Sequence, residues 1–183
     1  MLVFCDQDNA YPRVEWDFLR ETMVQMELHD DFIQMVDIMY KDATLQLKIN
    51  SQLGEKFQPT NAVAQGSPLS PCLYLLYIQS FVSMLHQSDL EGIEMPGKGG
   101  DETATQTIKV LAFADDLVVF LRDESQLPRF KELLEVYEEG AGAVNSWEKT
   151  HGMRVGTLRD STNRLPDCVP RGRCIFASAR VGG

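Results

Sequence analysis

The order of apolar and polar positions divides the chain into short strands and amphipathic helices. Leu2 to Cys5 is an apolar run that stops at Asp6, the pattern of a buried strand that delivers a carboxylate at its C-terminal end. From Val14 the period lengthens: Val14, Phe18, Leu19, Met23 and Met26 lie at helical spacing, with charges between them. A second stripe of Phe32, Ile33, Val36, Met39 and Tyr40 predicts another helix. Leu45, Leu47 and Ile49 then alternate with polar residues, which predicts a strand; Gly54 reads as the turn before a second extended stretch, Lys56 to Val63.

After Gln65-Gly66-Ser67-Pro68, the segment Leu69 to Leu85 predicts a buried helix with Pro71 in its first turn. Between Glu91 and Thr107, Gly92, Pro96, Gly97, Gly99 and Gly100 break every period, which predicts a loop. The apolar runs Ile108 to Phe113 and Leu117 to Leu121 flank Ala114-Asp115-Asp116, a tight hairpin with two carboxylates at its tip. Leu127, Phe130, Leu133, Leu134 and Tyr137 form a last helical stripe, read as ending at Gly140, and Met153 to Val155 reads as a short final strand. With the second helix and the hairpin after it treated as insertions, the order is β-α-β-β-α-β. That is an α+β chain with the ferredoxin-like, split βαβ arrangement.

Composition narrows the classes. The 183 residues include 27 acidic and 17 basic side chains, a net charge of -10, with 44% hydrophobic and 24% charged residues. These are globular proportions, and the length suits roughly one domain. Cysteines 5, 72, 168 and 174 form no Cys-x-x-Cys and have no histidine at ligand spacing, which argues against structural zinc and a disulfide framework and for reduced intracellular thiols. Asp6 interrupts any signal-peptide core, and the longest stretch without Asp, Glu, Lys or Arg, Phe57 to Ser88, is broken by Pro, Gly, Gln and Asn. A bilayer span needs about 20 mostly apolar residues, so no membrane partner is expected. From Thr157 the character changes, with Arg159, Arg164, Arg171, Arg173 and Arg180 against Asp160 and Asp167. The division expected is a folded unit over 1–156 and a basic, poorly ordered tail over 157–183. Taken alone, the acidity speaks against a nucleic-acid partner, since phosphates are held mainly by Lys and Arg.

The chemistry sits in three carboxylates. In a ferredoxin-like sheet the first strand neighbours the central hairpin, so Asp6, Asp115 and Asp116 can converge. Unpartnered, they would repel one another at apolar strand ends. Divalent cations resolve the repulsion: hard oxygen ligands select Mg²⁺ or Mn²⁺, and two ions about 3.5–4 Å apart would clamp an in-line phosphoryl transfer. An Asp-Asp turn is often simply solvated. The apolar strands on both sides, Lys109-Val110-Leu111-Ala112-Phe113 and Leu117-Val118-Val119-Phe120-Leu121, favour the metal reading.

Asp6-x-x-x-Ala10-Tyr11 followed by Arg13-Val14-Glu15-Trp16-Asp17-Phe18-Leu19 resembles the first catalytic motif of reverse transcriptases, in the form carried by LINE-type (non-LTR) retrotransposons. Gln65-Gly66-Ser67-Pro68-Leu69-Ser70-Pro71 is similar to the second motif and Phe113-Ala114-Asp115-Asp116 to the third; Gly142-Ala143 through Trp147-Glu148-Lys149-Thr150-x-Gly152 resembles the fourth. The resemblance covers roughly residues 2–156 and implies the palm of an RNA-directed DNA polymerase. An RNA template, a DNA primer and a dNTP would be its partners, and Mg²⁺ (or Mn²⁺) its cofactor.

Carried over residue by residue, it implies that Asp6 and Asp115 hold both metals with help from the Gln7 backbone carbonyl, and that Asp116 has a lesser coordinating share. Tyr11 would sit under the nucleotide sugar and exclude a 2′-hydroxyl; Gln65 would contact the nucleotide, and Gly66 would let the backbone approach the template–primer. Lys149 would stand by the pyrophosphate leaving group. By residue type alone, Tyr11 is equally a core tyrosine, the segment at Gln65 an ordinary loop, and Lys149 a solvated charge.

The chain departs from the family at Asn9, where relatives often carry a base, at Pro12, where they carry an acid, and at Ser146, where they have Asn. The resemblance includes neither complete fingers nor a thumb nor an endonuclease, which implies a truncated polyprotein fragment of little or no activity. It also explains the acidity: the metal-binding palm remains without the basic clamps. Stripes at Met23, Met26, Phe32 and Val36 are then expected to be left exposed. A non-enzymatic retroelement remnant or binding module is the alternative. A palm-type cyclase fits less well, because Tyr11, QGSPLSP and the final Lys-Thr have no reason to occur together there.

Overall fold

The computed structural model describes residues 1–96 and 105–156. The expected basic tail, 157–183, lies outside the described residues, as do Cys168 and Cys174. The architecture is mixed α/β. At its centre β1 (Leu2–Asp6) lies between β7 (Asp116–Phe120) and β8 (His151–Met153), with β6 (Val110–Phe113) outside β7. The order is β6-β7-β1-β8 and every neighbouring pair is antiparallel.

Alternation explains which face is covered. Val3 pairs with Val119 and Cys5 with Leu117, and all four are buried. Their face meets α3 (Ser70–Gln87) and α4 (Leu127–Ala141): Leu73, Tyr77 and Phe81 from the first, Phe130, Leu134 and Tyr137 from the second join one core. Phe81 and Tyr137 stack at 4.6 Å. Packed on α3 is α1 (Trp16–Gln25), joined to β1 by a 3₁₀ turn at Tyr11–Arg13. Next comes α2 (Asp30–Lys41), with Asp30 and Asp31 in its first turn and Lys41 in its last, where the helix dipole favours those charges. Of the four apolar residues expected to be exposed, Met26 alone is. Met23 and Val36 are buried and Phe32 packs half-buried, because α1 and α2 cover each other.

The hairpin of β2 (Leu45–Ile49) and β3 (Gln52–Phe57) is exposed at every position. Its turn is Asn50-Ser51, at φ 49° and 66°, and not Gly54, which lies inside β3. Two successive left-handed residues match the twist of a tight hairpin. The second extended stretch therefore runs over Gln52–Phe57 and not from Lys56 to Val63.

The stretch read as a loop contains two strands, β4 (Ile93–Pro96) and β5 (Thr105–Ile108), paired antiparallel. Its glycines do not all signal irregularity. Gly92, at φ 69°, permits the pairing, since a Cβ there would lie 2.5 Å from the Ile108 carbonyl oxygen. Ile108 thus belongs to β5, and β6 begins at Val110. The last helix runs through Gly140 to Ala141, and Gly142 ends it at φ 71°, its N–H returning to the Glu138 carbonyl at 3.0 Å. The final strand lies at His151–Met153, two residues earlier than the apolar pattern placed it.

Candidate active site

Asp6 ends β1 opposite Asp116, the first residue of β7. The hairpin closes on the pair Phe113 and Asp116, leaving Ala114 and Asp115 as its turn, with Ala114 at φ 53°. The two neighbouring carboxylates therefore do not share the tip as expected. Asp115 occupies the turn and Asp116 belongs to the ladder.

Beyond Asp6 the chain is stitched to the segment after α4 by main-chain atoms. The Ser146 N–H donates to the Asp6 carbonyl at 2.8 Å, Asp8 N–H to the Val144 carbonyl at 2.8 Å, and Gln7 bridges to Asn145. The segment is braced internally as well. Glu138 accepts the Asn145 N–H at 2.5 Å, the Asn145 side-chain amide donates to Thr150 Oγ1 at 2.8 Å, and Thr150 Oγ1 donates to the Ser146 carbonyl at 2.9 Å. Burial raises the Glu138 carboxyl above its ordinary range, opposed by the Asn145 N–H and reinforced by Glu135. This frame carries Lys149, whose Nζ lies 3.3 Å from Asp6 Oδ1. Both side chains are exposed enough for solvent to screen that pair.

The opposite wall is built by a second set of ties. Ala62 N–H donates to the Val14 carbonyl at 2.9 Å, Val63 N–H to the Tyr11 carbonyl at 3.0 Å, and Trp16 Nε1 to the Ala62 carbonyl at 2.7 Å. They hold the segment leading to Gln65 beside the turn bearing Tyr11. Gly66 follows at φ 85°, with nothing within 4 Å of where a Cβ would stand, so its need for glycine is conformational.

Between the two walls lies an open cleft of about 460 Å³, lined by Asp6, Gln7, Asn9, Ala10, Tyr11, Pro12, Gln65, Asp115 and Lys149. It gathers six of the residues singled out from the sequence: Asp6, Gln7, Tyr11, Gln65, Asp115 and Lys149. Asp116 and Gly66 do not line it. Gln7 is buried, and its Nε2 has no hydrogen-bond partner.

Among the described residues no three His, Cys, Asp or Glu side chains are clustered as a metal cage. The donors facing the cleft are the carboxylates of Asp6 and Asp115, oxygen only. That set fits Mg²⁺, which binds through one or two carboxylates plus substrate phosphates and keeps several waters. Four further participants were given no role from the sequence: Tyr74, whose ring centre lies 5.3 Å from that of Tyr11, and Asn145, Thr150 and Glu138, which frame the Lys149 segment. Their partners are set by packing, and only the proximity of Asn145 and Thr150 to Lys149 hinted at a role. Among the described residues no helix is long and apolar enough to cross a membrane.

Comparison with known proteins gives the family. The family model "Reverse transcriptase (RNA-dependent DNA polymerase)" matches residues 1–165. The chain is 30% identical over 154 residues to the transposon TX1 149 kDa protein of Xenopus laevis, covering 84% of this chain and 11% of that protein. It is 24% identical over 175 residues to the Pol polyprotein of the type-1 retrotransposable element R2 of Popillia japonica, covering 96% of this chain and 27% of the relative. It thus spans only a small part of either. Two telomerase structures from Candida tropicalis share the fold. One, in complex with a fragment of telomeric RNA, superimposes with a TM-score of 0.63 at 15% identity, over 81% of this chain and 25% of that one. The other, an apo form truncated from its C-terminal domain, gives 0.55 at 18% identity, over 81% and 29%. Four ordered motifs, a cleft that draws on all four, and a family match over most of the length lead to one conclusion: this chain is a reverse transcriptase domain of the LINE-type retrotransposon kind.

Proposed function

We propose that residues 1–156 are the palm of a LINE-type reverse transcriptase, a ferredoxin-like split βαβ unit whose reaction is RNA-templated DNA synthesis. In that reaction a primer 3′-hydroxyl attacks the α-phosphate of a dNTP and pyrophosphate leaves. The strand order β6-β7-β1-β8, antiparallel throughout, supports the palm assignment. The observation that carries the functional reading is the cleft, where Asp6, Gln65, Asp115 and Lys149, one from each motif, line a single space.

In this reading Asp6 and Asp115 hold a pair of Mg²⁺ (or Mn²⁺) ions, with the Gln7 carbonyl assisting and Asp116 contributing from the neighbouring ladder position. When bound, such ions supply charge neutralisation at the transferring phosphate. Lys149 neutralises or protonates the departing pyrophosphate, Tyr11 closes off the space a 2′-hydroxyl would need, and Gln65 orients the nucleotide. An RNA template and a DNA primer are the macromolecular partners, and the telomeric RNA held by one structural neighbour is consistent with that class of ligand. Among the described residues lining the cleft Lys149 is the single cation, so this lining by itself grips a triphosphate and its template poorly. Since positioning contributes several orders of magnitude to such reactions, little polymerase activity is expected from it.

Primer extension on poly(rA)/oligo(dT) with Mg²⁺ or Mn²⁺, read alongside thermal melting, tests the assignment. Weak dTMP incorporation at most is expected, together with a metal-dependent rise in Tm, and both should vanish in Asp115→Asn. Incorporation that survives Asp115→Asn would remove that residue from the chemistry. A melt indifferent to metal would favour a non-enzymatic remnant.

A further inference from the structure

Tyr11 is carried by a 3₁₀ turn of three residues, none of them buried. A single such turn has poor hydrogen-bond geometry and holds a side chain loosely. A ring that must exclude one hydroxyl group has to be fixed to within a fraction of an ångström. The firmness therefore has to come from what the ring leans on.

That support is Tyr74. Its ring centre lies 5.3 Å from that of Tyr11, with the planes tilted by 42°. Tyr74 is 1% exposed and belongs to α3, the helix most deeply embedded in the core. One turn further along the same face, Tyr77 lies 6.0 Å from Tyr74 and donates its hydroxyl to the Ala141 carbonyl at 2.5 Å, which ties α3 to the end of α4. Burial, then the Asp115 carboxylate, raise the Tyr74 hydroxyl pKa above its ordinary value, so the phenol stays neutral.

We propose that Tyr74 is the positioning residue for sugar discrimination: its buried ring holds Tyr11 against the cleft, so that exclusion of a 2′-hydroxyl depends on α3 as much as on Tyr11. This rests on the assignment of Tyr11 as the sugar contact. With the Tyr74 ring removed, Tyr11 can lean back into the space and admit the hydroxyl.

Isothermal titration of the 183-residue chain with dATP and with ATP, in Mn²⁺, provides the test. The unmodified chain should bind dATP more tightly than ATP. Tyr74→Leu should reduce that preference about tenfold, the scale of a small steric change in a binding pocket, and Tyr74→Phe should retain it. Should Tyr74→Leu fail to fold, Tyr74→Met, whose unbranched side chain adapts to an irregular space, carries the same expectation. A loss of folded protein alone scales both nucleotides together and leaves their ratio unchanged. Leu85→Ala, buried on the same helix about 16 Å away, should show that behaviour. The inference is overturned if Tyr74→Leu keeps the full preference while Tyr11→Val loses it. If Tyr11→Val also keeps it, or the unmodified chain shows no preference for dATP, the assignment of Tyr11 itself fails and the inference with it.

Discussion

The β1–β7 ladder and the β2–β3 hairpin are both antiparallel pairs of five- or six-residue strands, the first built from continuous apolar runs and the second carrying apolar residues that alternate with polar ones along β2, and they reach opposite environments. In the ladder Val3, Cys5, Leu117 and Val119 are covered by α3 and α4. In the hairpin Leu45, Leu47, Ile49, Leu53 and Phe57 all face solvent, Leu47 at 61%. Alternation therefore specifies a strand and its two faces, whereas burial needs a second layer to close over one of them. Asp6 and Asp116 end a ladder backed by the core, so their positions are set by packing, whereas Asp115 next to them is placed by the hairpin turn.

Substitutions on the two sides should separate by size. The largest effect belongs to the core side. Phe81→Ala, at a fully buried ring stacked on Tyr137, should lower stability by about 3–5 kcal/mol in urea unfolding. A loss near that of a surface site would mean that α3 does not carry the core. An intermediate effect is expected at the frame of the Lys149 segment. Burial raises the Glu138 carboxyl above its unfolded value, so the stability linked to its protonated form is complete below the ordinary carboxyl range and is lost as pH rises through the raised value. Glu138→Gln keeps an oxygen for the Asn145 N–H without the charge. Its Tm should exceed that of the unmodified chain at pH 8 and converge with it at pH 4; a lower Tm at pH 8 would show that the charge itself is needed. The smallest effect belongs to the hairpin. Leu53→Lys should change stability by no more than about 0.5 kcal/mol and reduce self-association in size-exclusion chromatography. A loss comparable to that of Phe81→Ala would reveal a packed hairpin and dissolve the contrast.

Much of the central frame was legible because its signals are local. The run Leu2–Cys5 before Asp6, the Pro71 helix start and the hairpin around Ala114-Asp115 depend on period and turn chemistry within a few residues. Glycine misled where its role is tertiary or permissive. Gly54 sits in a strand, Gly140 in a helix, and Gly92 makes room for a neighbouring carbonyl, while Asn50 and Ser51 take the turn that Gly54 was expected to make. The separation of Asp115 from Asp116 turns on a one-residue difference in where the ladder resumes, which period alone cannot resolve. Tyr74 and Glu138 were invisible for another reason. In sequence Tyr74 is one apolar position in the Leu69–Leu85 helix and Glu138 one acid among its neighbours, and only the folded chain shows what their side chains meet.

The ties joining the Tyr11 turn to the approach to Gln65 have one more implication. Two of the three are main chain to main chain, Ala62 to Val14 and Val63 to Tyr11, and the third ends on a carbonyl. The two main-chain bonds are indifferent to which side chains flank them; the third needs the Trp16 indole. The spacing of two distant motifs can thus outlast nearly complete turnover of the intervening letters, and the cleft can keep its shape while the text around it drifts.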